Sequence, residues 1–198
     1  MKTFKNALLC MLLASSAIAL LSFDLPNGWI IAGSEPTKYE MGIDKGSGQD
    51  GKNAGTIKSI EKSIDGFGTL MQQCRPVMYA GKKIKMSAIV KSTKVEGWAG
   101  LWLRIDQSGS TQPLSFDNMQ DRPIKGTTDW KKYEIVLDVP SNASNIAFGA
   151  LLAGTGQIWF DNITFEIVGD AEKVTGSPNL MKQSSIQDVP TNLNFEKL

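Results

Sequence analysis

This 198-residue chain reads as an all-β protein, a two-sheet antiparallel β-sandwich, and three observations carry that expectation. Helix signals are nearly absent after the first segment. Glycine is frequent, and clusters of turn residues cut the chain into short β-rich runs. Several of those runs alternate apolar and polar residues with the two-residue period of a strand.

The elements follow in order. Residues 20–24 lead into the turn Pro26-Asn27-Gly28 and a strand over 29–32. A strand over 39–43 precedes a loop, 44–53, dense in Gly, Ser and Asp; strands over 54–59 and 68–74 come next. Residues 83–92 show the clearest alternation, with Ile84, Met86, Ala88 and Val90 inward and Lys83, Lys85, Ser87 and Lys91 outward. A tryptophan-bearing strand, 97–106, follows. After a long loop, 131–139 alternates Tyr133, Ile135, Leu137 and Val139 against Lys132, Glu134 and Asp138, with Trp130 expected in the core. The turn at Pro140-Ser141-Asn142 opens a strand over 146–152, and Gly154-Thr155-Gly156 turns the chain into 157–168. That last run has a parity fault. Ile158 and Phe160 share one face, whereas Ile163, Phe165 and Ile167 are offset by an odd step, so a bulge or bend is expected near Asp161-Asn162.

Residues 1–19 have the form of a signal peptide, with a signal helix. Lys2 and Lys5 give a basic start, residues 7–21 form an apolar run, and Ala17-Ile18-Ala19 places small residues at the cleavage positions. The expected mature protein is exported, periplasmic or extracellular, with an uncleaved anchor as the alternative. The domain then spans 20–169. Residues 170–198 lose periodicity and read as a disordered polar tail or linker, although Asn192-Leu193-Asn194-Phe195-Glu196 echoes Leu21-Ser22-Phe23-Asp24 and has the look of a second module's start.

Composition excludes several chemistries. Removing Lys2 and Lys5 from 21 basic residues leaves 19 against 20 acidic ones, so no electrostatic case exists for nucleic acid or an anionic membrane. Only Cys74 survives cleavage, which rules out an intramolecular disulfide. Histidine is absent, which removes Ser-His-Asp and Cys-His catalysis and the common His-containing zinc sites.

The richest segment is 97–106. Ala99, Leu101, Leu103 and Ile105 form one apolar face, while Trp98, Gly100, Trp102, Arg104 and Asp106 point the other way. Indoles stack on the C–H faces of sugars, and Arg and Asp satisfy hydroxyls through charge-assisted hydrogen bonds. Lys85, Ser87 and Lys91 are candidates for the same surface. The loop 108–130 concentrates Asp117, Asn118, Asp121 and Arg122, and is expected to fold back over Trp102 as a wall of the site. The rival reading is that loops or strands simply cover these tryptophans.

Four segments carry a resemblance: Gly97-Trp98-Ala99-Gly100-Leu101-Trp102-Leu103-Arg104-Ile105-Asp106, Ser115-Phe116-Asp117-Asn118-Met119, Lys125-Gly126-Thr127-Thr128-Asp129-Trp130 and Gly154-Thr155-Gly156-Gln157-Ile158-Trp159-Phe160-Asp161. Together they resemble a galactose-binding-like jelly-roll accessory module, similar in outline to carbohydrate-binding modules. Such modules are attached to erythromycin-esterase-like and peptidase-like exported proteins and to some bacterial transcriptional-regulator chains. The resemblance covers roughly residues 21–168 and implies a jelly roll with a non-catalytic role. It also implies a structural Ca²⁺ between an acidic residue near the first strand, loop carbonyls and an aspartate in the last strand; Asp24 and Asp161 match those positions, and Asp44 or Asp50 with the Gly-rich loop are candidates for further oxygens.

The expectation is therefore an exported, non-catalytic binding module for carbohydrate, such as a cell-envelope glycan, or a similar amphipathic ligand. Its candidate ligand-binding residues are Trp98, Trp102, Arg104, Asp106, Asp117, Asn118 and Arg122. The alternatives are a protein–protein accessory module for an exported enzyme, using the same aromatic face, and a small carboxylate-dependent glycosidase or lyase.

Overall fold

Two strands far longer than the alternation pattern indicates organise this chain. The computed structural model describes residues 23–172 and 186–198. The expected leader, with its helix and its cleavage site near Ala19, lies outside the described residues. The elements are β1 (Ile30–Gly33), a single 3-10 turn (Pro36–Lys38), β2 (Tyr39–Asp44), β3 (Ala54–Ser59), β4 (Phe67–Cys74), β5 (Lys82–Asp106), β6 (Ser115–Asp117), β7 (Ile124–Val139) and β8 (Asn145–Asp170). No α-helix occurs among the described residues. β5 merges two expected strands, and β8 merges two more, so Gly154-Thr155-Gly156 is a corner within one strand rather than a hairpin turn.

β5 and β8 run antiparallel from Lys82 opposite Asp170 to Asp106 opposite Asn145. Each crosses from one sheet to the other. The first sheet runs β1-β4-β8-β5-β6, using residues 146–153 of β8 and 98–106 of β5. The second runs β2-β3-β8-β5-β7, using residues 157–170 of β8 and 82–93 of β5. The result is an antiparallel β-sandwich of the jelly-roll kind, its core lying between the two inner faces.

At the crossing, three residues of β5 (Thr93 to Glu96) advance against two of β8 (Gln157 to Thr155). Lys94 absorbs the extra residue with a φ of 50°. This bulge reverses the parity of β5: Ile84, Met86, Ala88 and Val90 are inward before it, and Ala99, Leu101, Leu103 and Ile105 after it. Gly97 and Gly154 make the corner possible. Both have positive φ (104° and 80°), and a Cβ on either would strike the opposing backbone, the Ala153 carbonyl or the Glu96 carbonyl respectively.

The parity fault in β8 has the expected cause. Thr164 pairs with Ser87 but Asp161 with Ile89, so β8 carries one extra residue there, and Asn162 adopts a φ of 52°. The bulge lets Phe160 and Ile163 both bury, at 0% and 4% exposure. Trp130, expected in the core, is only half-buried.

Residues 186–198 correct the expectation of a disordered tail. They pack back on the sandwich because Phe195 has an apolar slot to fill, between Trp29 (centroids 4.9 Å apart) and Phe160 (5.1 Å). Gly55 leaves the space, since a Cβ there would meet the Phe195 ring. Polar contacts fix the segment: Trp29 Nε1 donates to the Asn192 carbonyl (3.2 Å), Gln72 Nε2 to the Thr191 carbonyl (3.0 Å), and Ile163 N–H to the Leu193 carbonyl (3.0 Å). The Asn192–Glu196 echo therefore belongs to this domain's own core rather than to the start of another module. Phe195→Ala is expected to lower stability by about 3–5 kcal/mol, read from the urea unfolding midpoint; an unchanged midpoint would show that the segment contributes nothing to the fold.

Candidate functional site

The two sheets present unlike outer faces. On the second, Lys85 lies 3.0 Å from Glu166 and 3.9 Å from Glu134, Lys132 lies 2.8 Å from Glu134, and Lys83 lies 3.5 Å from Asp138. Such exposed pairs stabilise weakly; Trp159 and Trp130 stand on the same face, Trp159 with Lys91 over its ring and its Nε1 donating to Asp44. Lys85, Ser87 and Lys91 belong to this face because β5 changes sheets after Thr93, so they do not join the tryptophan surface as the sequence reading allowed.

The outer face of the first sheet is different. Trp98, Gly100, Trp102 and Arg104 of β5 stand beside Ala153, Leu151, Gly149 and Ala147 of β8. Phe67, Thr69 and Met71 of β4 continue the surface, and Ala32 and Gly33 of β1 close it. These residues line a groove of about 360 Å³. Phe67 and Phe116 on its rim are exposed, at 37% and 49%.

Trp102 forms the floor rather than a projecting platform. It is only 9% exposed and packs on Ala147 and Leu151, with Met71 and Trp98 beside it. Its Nε1 donates to Thr69 Oγ1 (2.8 Å), and that hydroxyl donates to the Ala150 carbonyl (2.7 Å). Trp98 is more open, half-buried at the side. Sequence reading treated the two indoles as equals; the structure makes one a floor and the other a wall.

Of the four loop residues expected at the site, Asp117, Asn118, Asp121 and Arg122, only Asn118 lines the groove, next to Phe116. Asp117 and Arg122 form a bidentate pair (2.6 and 3.2 Å), and Arg122 also donates to Asp121 (2.9 Å). This pairing holds the Arg122 guanidinium pKa above its ordinary value, chiefly through the hydrogen bond to Asp117. Asp117 Oδ1 further accepts the Met119 N–H (2.8 Å), fixing Met119 at a φ of 61° with its side chain buried. The cluster thus braces the wall that carries Phe116 and Asn118. Gly100 lets the wall approach, for a Cβ there would lie 3.0 Å from the Asn118 carbonyl and 3.1 Å from Met119 Cβ.

Arg104 ends the aromatic stretch. Its Nε donates to Asp106 Oδ1 (2.6 Å) and its Nη2 to the Thr111 carbonyl (3.1 Å), while Asn145 donates to Asp106 Oδ2 (3.2 Å). Sequence reading missed Phe67, Thr69, Met71, Leu151 and Phe116. A signal was present: Ile146-Ala147-Phe148-Gly149-Ala150-Leu151-Leu152 does not alternate, which marks a strand with both faces out of water.

Asp24 and Asp161 do not converge on one cation. The Asp24 carboxylate, half-exposed, accepts from Lys45 Nζ (2.8 Å). Nearby acids also have partners: Asp44 accepts from Trp159 Nε1 (2.7 Å), Asp50 from Lys52 N–H (3.0 Å), and Glu196 from Asn53 N–H (3.1 Å). Among the described residues, no group of three or more acidic, cysteine or histidine side chains is placed to hold a metal. Asp24, tied to Lys45, is therefore not a partner of Asp161 in the implied calcium site.

Asp161 is instead a buried carboxyl, 2% exposed, accepting the Asn162 N–H at 2.6 Å. Burial pushes its pKa up to about 6, with Asp50 and Glu196 adding and the Asn162 N–H and Lys52 opposing. An acid whose pKa rises on folding holds a proton that the unfolded chain has lost. Its ionisation therefore disfavours folding as pH rises from about 4 to 6. Asp161→Asn is expected to stabilise the protein above pH 6 and to make no difference near pH 4, read from unfolding midpoints at both pH values; a pH-independent difference would contradict this.

The chain matches no family model. It is 43% identical over 171 residues to a Bacillus subtilis (strain 168) protein described as an uncharacterized HTH-type transcriptional regulator, YbfP. That alignment covers 86% of this chain but 57% of the relative, so the chain spans little more than half of the relative's length. Among solved structures, it is similar to the CBM22-1–GH10 modules of Clostridium thermocellum xylanase 10B complexed with xylohexaose (16% identity, 75% of this chain, 28% of that one, TM-score 0.55). It is also similar to the CBM22-1 xylan-binding domain of Paenibacillus barcinonensis Xyn10C (13%, 76% and 92%, TM-score 0.52). A cyclase from Fischerella sp. TAU shares the fold too (15%, 77% and 89%, TM-score 0.51). At these identities the likeness establishes the fold.

The geometry separates the two indoles by role. Trp102→Ala is expected to cost about 3–5 kcal/mol of stability, because it removes a packed floor and the partner of Thr69. Trp98→Ala is expected to cost less than half as much by the same unfolding assay; equal losses would contradict the assignment.

Proposed function

We propose that this protein is a non-catalytic carbohydrate-binding module, exported from the cell, which holds its ligand in the Trp98/Trp102 groove. The observation that carries the reading is the contrast between the outer faces. One sheet carries a ladder of ion pairs, and the other an aromatic-floored groove with a few hydrogen-bonding groups at its edge. A sugar ring has the matching character, apolar C–H faces bordered by hydroxyls. The fold shared with xylan-binding modules supports the reading. The groove lining also argues against a carboxylate-dependent glycosidase or lyase, since among the described residues no Asp or Glu lines it.

The exposed rim formed by Ile30, Phe67 and Phe116 favours one second reading, a face that docks a protein partner. A glycan array probed with the leaderless protein separates the two. The carbohydrate reading expects binding that Trp98→Ala weakens at least tenfold, about 1.4 kcal/mol, with the fold intact. A blank array with folded protein would overturn it in favour of the docking face.

A further inference from the structure

The groove does not stop at Arg104. Beyond that side chain lies a second depression of about 380 Å³, bordered by Gln73 of β4, Asp106 and Gln107, the β5–β6 loop at Ser108 and Ser110, and Asn145 of β8. Arg104 borders both depressions. We propose that this second depression is a neutral-sugar subsite, so that the outer face holds an oligosaccharide rather than a single sugar unit; the proposal rests on the carbohydrate reading above.

Its chemistry differs from that of the aromatic groove. Among the described residues no aromatic side chain lines it, so a ligand there is held by hydrogen bonds rather than stacking. The Arg104 charge is matched by Asp106 at 2.6 Å, and Asn145 fixes the other Asp106 oxygen. Among the described residues that line it, an anion would find no surplus positive charge, which favours a neutral ligand over a carboxylate, sulfate or phosphate. Hydroxyls, which both donate and accept, fit the groups left over. Among the described residues, Arg104 Nη1 has no hydrogen-bond acceptor. Gln107 accepts from Asn142 Nδ2 through its oxygen (3.0 Å), leaving its amide N–H groups to donate.

Calorimetry on the leaderless protein tests this with neutral xylo-oligosaccharides and cello-oligosaccharides of one to six units, and with oligogalacturonides as the anionic series. Affinity is expected to rise at least tenfold from the monosaccharide to the longer neutral chains, and the neutral series to outbind the anionic one. The double variant Gln73→Ala/Gln107→Ala is expected to remove most of the gain with length, its unfolding midpoint being followed in parallel. Neutral-sugar binding indifferent to chain length, or tighter binding of oligogalacturonides, would overturn the subsite while leaving the aromatic groove standing. Absence of binding to any glycan would overturn the carbohydrate reading and the subsite with it.

Discussion

The close approach of Gly97 and Gly154 at the corner between the sheets is the constraint on which this structure depends. β5 and β8 stay hydrogen-bonded to each other along almost their whole length, yet they must leave one sheet and enter the other. That is feasible only where two backbones pass without a Cβ between them. The Lys94 bulge belongs to the same device. Without its extra residue, the apolar face of 84–90 would continue as the face of Trp98 and Trp102, and those indoles would point into the core.

The aromatic groove follows from that parity change. Inward, the second half of β5 supplies Ala99, Leu101, Leu103 and Ile105 to the core. Outward, it sets Trp98 beside Ala153 and Trp102 beside Gly149 of β8, with Trp102 packed on Ala147 and Leu151. The indoles, Met71 and Leu151 give the depression its apolar lining. The wall that completes it is held by Asp117, Arg122 and Gly100, residues that support the groove without lining it. The floor is strand-borne and locked by the Trp102–Thr69–Ala150 hydrogen-bond chain, so the proposed ligand would meet a surface already in place.

Much of this was legible in the residues. Alternation located the strands, and the odd step between Phe160 and Ile163 located a bulge. The outward set Trp98, Trp102 and Arg104 located the groove. What escaped was non-local. Loops and long strands look alike where glycines serve as corners, so Gly154-Thr155-Gly156 read as a hairpin. Phe195 lies in a polar stretch, and its slot exists only because Trp29, Gly55 and Phe160 come together in space. Asp117 and Arg122 looked like ligand groups because a sequence shows charges without showing that they satisfy each other. Asp24 and Asp161 matched positions of a calcium site, but the partners that occupy Asp24 and bury Asp161 are set by the fold.

The most direct test of the account is an NMR titration of the five indole N–H resonances with xylohexaose and, if that is silent, with other neutral hexasaccharides. The account predicts that Trp98 and Trp102 shift together on binding, while Trp29 in the core and Trp159 and Trp130 on the second sheet stay fixed. Shifts centred on Trp159 or Trp130 would place the ligand on the ion-paired face and contradict the assignment of the groove.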